Sequence, residues 1–319
     1  MDRRKFIGST TAAMAGLSFL SLASSPKKSK ISRDFGIQLY TLAKPLSDDF
    51  DGTLKKLAEF GYKNVEFAGP YYFSPEEEIA NNPLIKMMGL SGYGYYKHTP
   101  KEINMMLDDL GLKSTSAHIS DDTLKHNFDE AINAANIIGQ EYILSPMFLG
   151  HSLDDYKLAA ETYNKFGEKC KSAGIKYGYH THSHEFQDFN GVTPFDVLVN
   201  ETDSSLVFFE LDLFWAKVAG VDPVSLINNT SGRIKLLHIK EMATELDKVY
   251  NTNEPFLNLE IGKKIFKNQT IIGEGIIDFK NIIDGIANSS VDHLIIESDF
   301  PEKPIEFSKK SILNLKNML

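Results

Sequence analysis

Four short apolar runs in the C-terminal half of the chain each end in, or lead directly to, a residue that can hold a metal ion. Ile175-Lys-Tyr-Gly-Tyr-His180 leads to Glu185, Leu206-Val-Phe-Phe-Glu-Leu-Asp ends at Asp212, Ile234-Lys-Leu-Leu-His ends at His238, and His293-Leu-Ile-Ile-Glu ends at Glu297. A charge at the end of an apolar run is costly unless it is solvated or paired. Four in succession point to one shared centre. Glu185, Asp212, His238 and Glu297 would form a hard, mostly oxygen ligand set for one divalent ion: Mn, Mg, Co or Zn.

The densest polar cluster is His180-Thr-His182-Ser-His184-Glu185. A His-x-His zinc site of the amidohydrolase type would sit on a first barrel strand, whereas this cluster follows the fifth. In the preferred reading Glu185 binds the ion while histidines such as His182 and His184 orient substrate or the ligands. The competing reading is that they only cap the strand end.

These residues can meet only if the strands carrying them lie side by side with their C-terminal ends on one face. A barrel of parallel strands does this. From Phe35 onward the sequence alternates short apolar runs with helix-like segments. Phe35–Tyr40, Asn64–Phe67, Ser114–His118 and Tyr142–Ser145 read as strands one to four, ahead of the four ligand-bearing runs. Helices are expected over Asp48–Phe60, Pro100–Leu110, Asp121–Ile138 and Ser152–Ala173, then near Pro194–Asn200, Pro223–Asn228, Asp278–Ala287 and Glu306–Met318. Gly61, Gly111, Gly139 and Gly174 are stop signals and Pro100 is a start signal. Eight β-then-α units without a break in composition predict an α/β fold, a (β/α)8 TIM barrel, as a single domain over 35–319. Two insertions would sit at the barrel mouth: the Tyr-rich loop Gly69–Thr99 and the segment Glu241–Ile272. The tyrosines of the first could stack on sugar rings or simply cover the mouth.

Of the 319 residues, 42% are hydrophobic and 24% charged, enough to build a sizeable core. The net charge of −9 and the lack of a Lys/Arg cluster argue against nucleic acid as a partner. The single Cys170 excludes an intramolecular disulfide. Arg3-Arg4-Lys5-Phe6-Ile7, followed by a weakly apolar stretch to Ala23, is similar to a twin-arginine export signal over residues 1–25. A polar linker follows over 26–34. The expected location is periplasmic or otherwise exported, with no stable membrane anchor once the signal is cleaved.

Gln38-Leu-Tyr-Thr41, Tyr179-His-Thr-His-Ser-His-Glu-Phe186, Glu210-Leu-Asp-Leu-Phe-Trp-Ala216, Leu237-His-Ile-Lys240, Gly273-Glu-Gly275 and Ile277-Asp-Phe279 resemble the sugar phosphate isomerase/epimerase family, within the xylose isomerase-like TIM barrels. The resemblance runs from about Phe35 to the C-terminus. It implies Glu185, Asp212, His238 and Glu297 as ligands of one divalent ion, with Glu185 and Glu297 also serving as acid and base. Thr181 and His184 depart from the usual strand-five motif, in which Asn and Phe stand there. Glu66, His118, His182, His184, Trp215 and Lys240 are the candidate substrate-binding or proton-transfer groups. The bound metal would stabilise an enediolate as a carbon-bound proton leaves.

Without a Gly-rich phosphate loop or an Arg cluster, the expected substrate is a small carbohydrate: an unphosphorylated sugar or keto-sugar undergoing isomerisation or epimerisation. The alternative on the same metal site is a 3-keto-glycoside lyase that expels the glycosidic oxygen by β-elimination. A metal-dependent hydrolase and a non-catalytic sugar-binding barrel are lesser alternatives. The family's frequent dimers make a homodimer compatible with the sequence.

Overall fold

The computed structural model describes residues 31–246 and 259–319. The expected export signal and most of the linker lie outside them. The strands are β1 (Gly36–Gln38), β2 (Asn64–Ala68), β3 (Lys113–His118), β4 (Tyr142–Ser145), β5 (Lys176–His180), β6 (Val207–Asp212), β7 (Ile234–Ile239), β8 (Glu241–Met242), β9 (Gln269–Thr270) and β10 (His293–Ile296). Eight of them close a parallel barrel in the order β1-β10-β7-β6-β5-β4-β3-β2, and β8 with β9 forms a small antiparallel pair. The barrel fold read from the sequence is therefore present. Parallel strands are covered on both faces, which is why these runs are almost uniformly apolar and buried.

Helices pack outside the barrel, and several form where the sequence signals placed them. Pro100–Leu110 begins with a capping box in which Thr99 and Glu102 satisfy each other's backbone amides, and it ends at Gly111 with φ +64°. Three segments differ from expectation. β1 stops at Gln38, whose side-chain oxygen accepts from the Tyr40 amide at 3.1 Å and turns the chain into a 3-10 helix, Leu39–Leu42. The expected helix Asp121–Ile138 divides at Asn127, whose extended φ of −133° allows its side-chain amide to donate to the Phe73 carbonyl at 2.6 Å. The Gly69–Thr99 loop contains two short helices, Glu76–Asn81 and Pro83–Met88. Within it Tyr71 stacks on Phe73 and meets Tyr95 at a tilt of 50°, with ring centroids 5.1 and 4.8 Å apart, and all three are buried. Tyr95 also meets Phe67 of β2 edge-on at 5.2 Å, while Tyr72 stays largely exposed.

The barrel interior is layered. Tyr142, Leu144, Leu236 and Ile295, with Phe208 against them, form an apolar floor. Side chains alternate between faces along a strand, so the next inward positions on β6 are Glu210 and Asp212, and on β7 His238. The pairing shifts register between Val65 and Glu66 on β2 and between Phe209 and Glu210 on β6. Such bulges re-aim the side chains that follow them, and each here precedes a buried glutamate. Gly178 on β5 makes room for Leu144, because an added Cβ would meet Leu144 Cδ2 at 2.5 Å.

Candidate metal centre

Above the apolar floor lie two layers of polar side chains. The lower layer holds Glu66, Glu210 and Ser116, with Gln38 beside them, all fully buried. Gln38 donates to Glu66 Oε1 at 2.7 Å and Ser116 Oγ donates to Glu66 Oε2. The upper layer holds Asp212, Glu297, Asp299 and Lys240. His238 joins the two layers. Its Nδ1 lies 3.0 Å from Glu297 Oε2, and its Nε2 lies 2.8 Å from Glu66 Oε1 and 3.1 Å from Glu210 Oε2.

Asp212 is placed by two local requirements. It ends β6 and caps the following helix, Leu213–Ala219, with Oδ1 accepting from the Trp215 amide at 3.1 Å. That leaves Oδ2 to face Lys240 Nζ at 3.1 Å and His238 Nδ1 at 4.0 Å. Lys240 Nζ also meets Glu297 Oε2 at 2.6 Å and Asp299 Oδ2 at 2.8 Å. Burial pushes the Asp212 carboxyl up to about 6, although Lys240 opposes the shift. Burial also works against charge on Glu297, but the Lys240 ammonium and His238 prevail and hold its carboxyl well below the usual range. Burial likewise opposes charge on His238, and the Glu210, Glu297 and Glu66 carboxylates raise its pKa well above the ordinary value. Burial lowers His180 to about 3, so it is neutral.

The donor set fits a divalent cation. Ligand atoms of Asp212, His238 and Glu297 lie within 4.8 Å of one another, and all three residues are buried. Five carboxylates (Glu66, Glu210, Asp212, Glu297 and Asp299) face Lys240, His118 and His238. Carboxylates outnumber the cationic groups here even with both imidazoles protonated, and a divalent cation, which His238 would bind as a neutral imidazole, supplies positive charge to that excess. The hard oxygen ligands suit Mn²⁺ or Mg²⁺.

The structure brings together three of the four expected ligands. Glu185 joins no metal-binding group among the described residues. It lies fully buried in the 3-10 turn His184–Phe186, accepting from Tyr179 OH at 2.5 Å and from the His182 amide at 2.9 Å, with His184 Nε2 at 3.1 Å. The four residues between the tip of β5 and Glu185 carry the chain away from the centre, and Glu185 braces the loop there. His180, at the strand tip itself, takes the β5 place beside the centre.

Two substrate-binding assignments also change. Glu66 is beneath the cavity floor, holding His238 and Ser116. His184 turns its Nε2 to the Phe148 carbonyl at 2.8 Å. His118, His182, Trp215 and Lys240 do line the cavity, together with His180 and Glu297, around a volume of about 410 Å³. Glu210 and Asp299 join the site without being singled out by the sequence. Each lies two positions from a recognised one, Asp212 or Glu297, and period-2 alternation was the available signal.

Replacing Glu185 by Gln is expected to leave manganese uptake by chelator-treated protein near wild type while costing about 1–3 kcal/mol of stability. Asp212→Ala, loaded in the same way, should bind far less manganese. Elemental analysis beside urea unfolding checks both, and manganese loss in the Glu185 variant would restore that residue as a ligand.

The family described as xylose isomerase-like TIM barrel matches residues 54–317. An inosose dehydratase of Lacticaseibacillus casei (strain BL23) is 26% identical over 300 residues, spanning 81% of this chain and 95% of that protein. One from Clostridium beijerinckii is 31% identical over 130 residues, where the match spans 40% of this chain and 42% of that protein. Among solved structures, a sugar phosphate isomerase/epimerase from Parabacteroides distasonis ATCC 8503 superposes with a TM-score of 0.67 at 26% identity, covering 92% of this chain and 96% of that one.

Proposed function

Because the chain belongs to the xylose isomerase-like TIM barrel family, we propose that it is a metal-dependent lyase acting on a polyhydroxylated ketone of the sugar or cyclitol type. It would remove the proton beside the carbonyl and expel an oxygen from the β-carbon as water or an alcohol. The observation that carries this reading is the inequality of the two sides of the cavity. Glu297, Asp212 and Lys240 come from the adjacent strands β10, β6 and β7 or the residues just after them. His118 and His180 come from β3 and β5, with His182 just beyond. Epimerisation at one carbon needs a base and an acid on opposite faces of that carbon, the role expected of two glutamates. Here imidazoles stand where the second carboxylate was expected.

Asp212, His238 and Glu297 would hold the ion, which when bound polarises the substrate carbonyl as a Lewis acid. Glu297, kept ionised by Lys240 and His238, is the proton acceptor. Lys240 donates to the oxygen on which negative charge develops. His118, whose pKa is raised by Glu66 and Glu210 against the effect of burial, supplies a proton to the departing oxygen from the other side. Trp215 walls the cavity beside His182, at a ring distance of 5.4 Å. The similarity to inosose dehydratases supports elimination.

The likeness to the Parabacteroides isomerase/epimerase supports a second reading, in which the same proton returns to a neighbouring carbon. Incubating the manganese-loaded protein in D₂O with an inosose and with a 3-keto-glycoside separates the two by mass spectrometry. Elimination releases water or alcohol and leaves an unsaturated ketone. An isomer carrying carbon-bound deuterium, with nothing released, would replace the lyase reading.

A further inference from the structure

Beneath the oxygen-rich trio, three imidazole nitrogens converge on a single carboxylate oxygen. Glu210 Oε2 has His118 Nε2 at 2.7 Å, His180 Nδ1 at 2.9 Å and His238 Nε2 at 3.1 Å. Glu66 Oε1 adds a second oxygen, 2.8 Å from His238 Nε2 and 3.2 Å from His118 Nε2. The other oxygen of the same carboxylate, Glu210 Oε1, is fully buried and has no hydrogen-bond partner. Each carboxylate oxygen offers about two lone-pair sites. Three donors on one oxygen and none on the other is therefore a poor hydrogen-bonding arrangement, whereas ligand atoms gathered on one point are what a cation requires. One ligand atom from each of His118, His180, Glu210 and His238 lies within 4.8 Å of the others. His118 and His180 line the cavity, which provides a path for an ion to enter.

We propose that His118, His180, His238 and Glu210 form a second cation site, nitrogen-rich and suited to zinc or cobalt, that competes with the oxygen-rich Asp212–His238–Glu297 site for the same imidazole. Imidazole-rich sets suit zinc, and carboxylate-rich sets suit manganese and magnesium. A neutral imidazole has one lone pair. When His238 ligates an upper ion through Nδ1, its Nε2–H donates to Glu66 or Glu210. When it ligates a lower ion through Nε2, its Nδ1–H donates to Glu297. The two tautomers exclude each other, so one ion binds per chain and its chemical softness selects the level.

The test is metal binding to chelator-treated protein by equilibrium dialysis with elemental analysis. Zinc is expected at one per chain, displaced by excess manganese. His118→Ala and His180→Gln should weaken zinc by about 100-fold or more while manganese changes only a few-fold. Asp212→Ala should do the reverse, with circular dichroism verifying that each variant is folded. The wild-type protein gives an independent readout through cobalt. Four-coordinate nitrogen-rich Co²⁺ has intense visible bands, whereas six-coordinate oxygen-bound Co²⁺ has faint ones. Faint bands, zinc lost in Asp212→Ala but kept in the histidine variants, or zinc and manganese bound together at two ions per chain would each overturn the proposal.

Discussion

Glu297→Gln is expected to lower turnover by roughly 10²–10⁴-fold, the usual contribution of a positioned acid or base. Glutamine keeps the shape of the side chain but can neither hold negative charge nor take a proton. In the native site Glu297 Oε2 is engaged by Lys240 Nζ at 2.6 Å and by His238 Nδ1 at 3.0 Å, and both contacts keep the carboxylate ionised. Because Glu297 also belongs to the ligand trio, the comparison must be made at equal manganese occupancy, determined on the same samples. A Glu297→Asp variant retains the charge on a shorter arm and should lose less. A Gln variant that turns over at the wild-type rate with its metal in place would remove Glu297 from the role of base.

Lys240→Met is expected to destabilise the metal-free protein by about 3–5 kcal/mol, the cost of leaving a buried charge without its partner. Lys240 is almost fully buried, and its ammonium is the one lysine or arginine group among the described residues in contact with Asp212, Glu297 and Asp299. Methionine fills similar volume while removing the charge, so the loss reports electrostatics more than packing. A divalent ion supplies positive charge to two of the same carboxylates. Urea unfolding of the variant with and without manganese should therefore show a larger metal-induced gain than the wild type. Equal stability of variant and wild type after chelation would mean that the three carboxylates take up protons or water in place of the ammonium.

Local chemistry made most of the fold legible. Strand four, Tyr142–Ser145, and the helix Pro100–Leu110 have the bounds expected of them, because a buried apolar run and a Pro…Gly frame act within a few residues. Errors arose where a distant partner decided the outcome. The helix break at Asn127 depends on the carbonyl of Phe73, more than fifty residues away in sequence. The loop tyrosines were open to two roles, and Tyr71, Phe73 and Tyr95 pack on one another.

The chain alone determined that a barrel would form and that β6, β7 and β10 would each bring a candidate ligand to one end of it, since strand direction and side-chain alternation follow from covalent geometry and the apolar pattern. It pointed to Glu185 and could not show that His180, which ends the same run, lies beside the centre, because that depends on the turn His184–Phe186. Nor could it place Glu66 and Glu210 in a layer of their own. Their positions depend on two bulges that shift each strand against its neighbour, and register between strands far apart in sequence is settled only when the barrel closes.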